Sequence, residues 1–102
     1  MIHVLATIEL HPGKRDAFLT EFHQVMPAVK AEVGCIEYGP ATDAATDLPQ
    51  QQRLGENAVL VVEKWASLEA LKAHLVAPHM LAYRERVKGL VVGSRLQILQ
   101  PA

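Results

Sequence analysis

Glu63, Trp65, His74, His79, Tyr83 and Arg84 bring a carboxylate, an indole, two imidazoles, a phenol and a guanidinium into one stretch of the chain. No other stretch crowds such groups together. Glu63 and Trp65 stand two apart and share a face if their segment is extended; His79 and Tyr83 stand four apart and share a face with Val87 if theirs is helical. A planar aromatic ligand fits between two such faces. His79 follows Pro78 in what reads as a first helical turn, where the positive end of the helix dipole disfavours imidazolium. The sequence therefore predicts a neutral ring there, able to accept a proton, with His74 as a second acceptor or a donor. Each of these residues also has a structural reading. Trp65 serves equally as core, Glu63 as an ion-pair partner of Arg84 or another basic side chain, and either histidine as a boundary or solvated group. Tyr38 and Tyr83 read as amphipathic residues at the edge of the core. His74 and His79 are five apart with Pro78 between them, which is not the spacing of a helical metal pair. His3, His11 and His23 read as solvated surface.

The elements that must position these groups follow from periodicity. Ile2, Val4, Ala6, Ile8 and Leu10 alternate with His3, Leu5, Thr7 and Glu9, which predicts a strand with one apolar face. After the breaker His11-Pro12-Gly13, the stripe Phe18, Phe22, Val25, Val29, Val33 predicts a helix ending at Gly34, with a kink or restart near Met26 because of Pro27. Cys35 to Tyr38 reads as a short strand stopped by Gly39-Pro40, and residues 39–57 as a long loop in which the strand resumes briefly at most. Ala58 to Trp65 is the strongest strand, apolar on both faces for its first half. Ser67 is an expected N-cap for a helix carrying Leu68, Leu71 and Leu75, and Pro78 opens another with Met80, Tyr83, Val87 and Leu90. Gly89 and Gly93 frame the last strand, with Leu96 and Ile98 on one of its faces. This order predicts an α+β domain of split βαβ type, an antiparallel sheet with helices on one face. Leu5, Leu60, Val62 and Leu99 then leave an apolar open face, and a symmetric homodimer is the expected cover.

Composition narrows the function. The 102 residues fit a single domain spanning 1–102, half of them hydrophobic, with a formal net charge of −1. Without a basic excess, nucleic-acid binding is not expected. No apolar run spans a membrane and no leader precedes the first strand, so a cytosolic protein is expected. Cys35 is alone and reads as a buried, reduced thiol. Phosphate-binding glycine loops, a nucleophile elbow and a zincin motif are all missing from the sequence.

Glu63-Lys64-Trp65-Ala66-Ser67-Leu68-Glu69-Ala70-Leu71, then His74 and Pro78-His79-Met80, resembles the antibiotic biosynthesis monooxygenase family. With Gly34-Cys35-Ile36-Glu37-Tyr38 and the terminal strand through Ile98, the chain looks like the bacterial quinol monooxygenase branch over nearly its whole length. The resemblance implies ferredoxin-like subunits pairing into a dimeric α+β barrel, with a pocket between helices and sheet. It implies oxidation of a quinol or polycyclic phenol by O₂ with no metal or organic cofactor. In that setting Trp65 would stack on the substrate, His79 or His74 would take its proton, and Glu63, Tyr83, Arg84 and Tyr38 would line the pocket. Haem-degrading relatives carry an asparagine and an axial histidine where Ala6 and Arg84 stand here, so haem ligation is not expected. The family also holds an isomerase of a phosphorylated sugar, which makes that reaction, or a non-catalytic dimeric binding module, the alternative reading.

Overall fold

The alternation at the start of the chain forms β1 (Ile2–Leu10), whose Val4, Ala6 and Leu10 are buried. This computed structural model describes residues 1–102. Next come α1 (Arg15–Lys30), β2 (Cys35–Ala41), β3 (Ala58–Trp65), α2 (Leu68–Leu75), α3 (Pro78–Val87) and β4 (Val91–Leu99). The sheet order is β2-β3-β1-β4 with every neighbour antiparallel, which is the ferredoxin-like α+β arrangement. Each crossover skips a strand, so both helical connections pack on one side of the sheet. Between the layers Phe18, Phe22, Val25 and Val29 of α1 meet Val59, Val61 and Trp65 of β3 and Leu71, Met80, Tyr83 and Val87 of α2 and α3.

Five details depart from the sequence expectations. The first helix ends at Lys30, and Val33, assigned to its apolar stripe, is 93% exposed. Residues 31–34 form a turn instead. There is no restart at Pro27, because only the bond to the His23 carbonyl is lost and Ala31 N–H reaches the Pro27 carbonyl at 3.1 Å. The strand does not stop at Gly39-Pro40: β2 pairs through both to Ala41. Proline is tolerated because β2 is an edge strand, where a missing donor can face away from the ladder. Gly93 lies inside β4 rather than before it, opposite Glu9 and next to the irregularity where the β1–β4 register shifts. Cys35 is only half-buried.

Ser67 caps α2 as expected, its hydroxyl accepting from Ala70 N–H at 3.1 Å, and Pro78 opens α3. The segment between β2 and β3 has no regular element. The Asp43 carboxylate closes it by accepting from the Leu54 and Gly55 N–H groups at 2.8 and 2.9 Å. Those two bonds hold the Asp43 carboxyl below its usual range. No helix is long and apolar enough to cross a membrane.

Candidate active site

A cavity of about 360 Å³ opens between the sheet and α3. Its walls are apolar side chains such as Ala6, Phe18, Phe22, Val61, Met80 and Val87, and its polar groups come from Tyr38, Glu63, His74, Tyr83, Arg84, Lys88 and Ser94. That size and balance suit a small, flat, mostly apolar ligand with a few hydroxyls.

The polar floor is built from three elements. Glu63 and Trp65 alternate inward along β3, and the indole Nε1–H donates to Glu63 Oε1 at 2.9 Å. Tyr38 reaches the same place because β2 bulges after Cys35, which sets Tyr38 opposite Glu63. His74 comes from the last turn of α2 and is 2% exposed, with Trp65 at a ring separation of 4.6 Å and Tyr38 edge-on at 5.4 Å. Its Nε2 stands 4.0 Å from Glu63 Oε1.

On the other side of the ring, His74 Nδ1 lies 2.9 Å from Glu32 Oε2 and 3.2 Å from Oε1. The same Oε2 lies 2.7 Å from His79 Nε2. A carboxylate only accepts hydrogen bonds, so both imidazoles donate to Glu32. A neutral His74 then carries its proton on Nδ1 and its lone pair on Nε2, the nitrogen on the Glu63 side.

Burial dominates the electrostatics of this floor. It pushes the Glu63 carboxyl up to about 7, with the Trp65 hydrogen bond pulling the other way and the Glu32 charge adding to the rise. Burial also holds His74 below the ordinary imidazole value, against the upward pull of its bond to Glu32. Tyr38 and Tyr83 are both driven upward by burial and stay protonated phenols. Tyr38 stacks on Phe22 with centroids 5.2 Å apart.

The cavity thus gathers Glu63, His74, Tyr38, Tyr83 and Arg84, all anticipated from sequence. Two anticipated residues take other places. Trp65 is 0% exposed and outside the lining; its ring is enclosed in the core beside His74, so it supports the floor and offers no free face for stacking. His79 also lies outside the lining and turns to Glu32, so His74 is the imidazole that meets the cavity. Glu63 pairs with the indole and not with Arg84, whose guanidinium donates to the Leu75 carbonyl at 2.7 Å from an exposed position on the rim. Glu32 was not anticipated. It sits in the turn after α1, 42 residues from His74, and no periodicity links the two. No group of three His, Cys, Asp or Glu side chains is arranged to hold a metal ion.

Comparison with known proteins agrees with this architecture. The structure of PA3566 from Pseudomonas aeruginosa superposes with a TM-score of 0.79 at 22% identity, covering 99% of this chain and 93% of that one. Rv0793 from Mycobacterium tuberculosis gives 0.79 at 24% identity, covering 99% and 94%. At such identities the likeness carries the fold alone. The protein named "Probable quinol monooxygenase YgiN" from Escherichia coli K12 is 40% identical over 103 residues, 99% of this chain and 98% of its own length. The family described as antibiotic biosynthesis monooxygenase matches residues 1–86. By that match and that relative, the chain belongs to the antibiotic biosynthesis monooxygenase family.

Proposed function

We propose that the chain is a cytoplasmic homodimer that oxidises a quinol or polycyclic phenol with O₂, using no metal or organic cofactor. The observation that carries this reading is the pairing of the His74 Nε2 and Glu63 at the floor of an otherwise apolar cavity. Family membership and the name of the 40% identical relative support the reaction class.

The chemistry asks little of the protein. A neutral hydroquinone reacts slowly with O₂, whereas its anion is electron-rich enough to pass an electron to O₂ directly. His74 Nε2 takes the proton from the bound hydroxyl. The anion then gives one electron to O₂, leaving a semiquinone and superoxide. If these combine at a ring carbon, the peroxide takes back the proton held by the imidazolium, and the hydroperoxide loses water while one oxygen atom stays on the product. If the semiquinone instead gives superoxide its second electron and remaining hydroxyl proton, and the imidazolium returns the first proton, the products are the quinone and hydrogen peroxide. Glu63, ionised above about 7, stabilises the imidazolium formed in the first step. Phe18, Phe22, Val61 and Met80 keep water from the intermediate.

Oxygen uptake by chelator-treated protein, with a naphthoquinol such as menadiol and the autoxidation blank subtracted, tests the reading. Uptake above the blank is expected. No excess across a panel of quinols and anthrones would sink it, and product formed without oxygen consumption would favour the isomerase alternative.

A further inference from the structure

We propose that Glu32 is the positioning residue of this site: it holds His74 as the Nδ1–H tautomer, so that the Nε2 lone pair is presented to the cavity. The inference rests on the quinol reading and deepens it, because Glu32 itself lies outside the lining.

Neutral imidazole has two tautomers, and in water the proton favours Nε2. In that form the nitrogen facing the cavity would be a donor and could not take a proton from a hydroxyl. The Glu32 carboxylate reverses the choice, since it accepts from Nδ1 at 2.9 Å and can do so only if Nδ1 is protonated. In the Ser-His-Asp triad, a carboxylate that sets the tautomer of the histidine base and stabilises its imidazolium is worth on the order of 10⁴ in rate.

Glu32 is built to do this. Its backbone N–H donates to the Val29 carbonyl at 3.0 Å and its carbonyl accepts from Cys35 N–H at 3.2 Å, which fixes the turn. His79 donates to the same Oε2 at 2.7 Å. The second histidine of the motif thereby becomes a clamp on Glu32 from the half-exposed side of the cluster. The other groups that face His74 are Glu63 from β3, Tyr38 from β2 and Arg84 from α3. None of them reaches Nδ1.

Nitrogen-15 NMR of the histidine rings, above the titration range of His74, reads the tautomer without any substrate. In the wild-type protein Nδ1 is expected to be protonated and Nε2 bare, and in Glu32→Ala the proton is expected on Nε2. Glu32→Gln keeps the shape of the side chain, and so the fold, but not the charge. Its His74 is expected to titrate at lower pH than in the wild type, because the carboxylate no longer favours the protonated ring. With any quinol that is turned over, both variants should lose kcat while KM changes little. A wild-type ring protonated on Nε2, or a tautomer and titration unchanged in both variants, would overturn the proposal. The expected NMR behaviour together with no oxygen uptake on any quinol would uphold Glu32 as the positioning residue and fail the quinol reading instead.

Discussion

Glu63 is the residue at which stability and chemistry pull apart. Its carboxyl is raised from an ordinary value of 4.5 to about 7, so between these values the folded state binds a proton that the unfolded state has released. Folding stability must therefore fall as pH rises through this window and level off above it. At about 1.4 kcal/mol per unit the whole effect is on the order of 3 kcal/mol. Glu63→Gln keeps an acceptor for the Trp65 indole and removes the titration. Denaturant melts at pH values on either side of the window should show the variant gaining on the wild type as pH rises, and a constant difference would refute the assignment. The same substitution should flatten the part of the rate profile near 7. At this scale the sequence was partly legible. The inward alternation of Glu63 and Trp65 and the presence of His74 could be read from spacing. The choice between His74 and His79 could not, because both rings meet Glu32, in a turn far away in the chain, and only the packing of the helices decides which of them lines the cavity.

Among the elements, the turn between α1 and β2 does the most to set the site. Gly34 has φ +84°, and a Cβ built there would lie 2.6 Å from the Ala70 Cβ of α2. Its carbonyl accepts from Ala66 N–H at 2.8 Å. This close approach locks the turn that carries Glu32 to the helix that carries His74. Gly34→Ala should cost at least about 1 to 2 kcal/mol from the left-handed backbone alone, with the clash added to it. In a chain of this size each kcal/mol lowers Tm by about 4 to 8 °C. Calorimetry should show that loss, and an unchanged Tm would mean that the turn is not held as described. Sequence marked Gly34 as the end of the helix, a reading of its conformation but not of its contact. It also ended β2 at Tyr38, before Gly39-Pro40, since local breaker rules do not know that β2 lies on the sheet edge. The strong periodic segments, β1, β3 and the apolar stripe of α1 from Phe18 to Val29, were fixed by burial and were legible, whereas Val33 at the end of that stripe was not.

At the scale of the whole molecule, helices cover one side of the sheet and leave the other open. Strand pairing sets Leu5 opposite Val62 and Thr7 opposite Leu60, with Gln97 and Arg95 beside them on the β4 side and the Lys64 and Glu37 pair toward one end. Such an apolar band with a polar border suits a second copy of the chain. Sedimentation at micromolar concentration should give a dimer, and Val62→Asp should give a monomer that keeps its secondary structure; a compact wild-type monomer would remove the pairing. The open face was legible from the two-sided apolar pattern of β3, but the cavity entered only through the family resemblance, since its walls come from all seven elements, whose packing no local pattern encodes. That cavity with His74 as its base is the central claim. Its most direct test is the rate of oxygen uptake by His74→Ala against the wild type, with saturating menadiol, chelator-treated protein and the blank subtracted. A loss of about 10²- to 10⁴-fold with quinol binding retained is the predicted result, and a variant as fast as the wild type would contradict it.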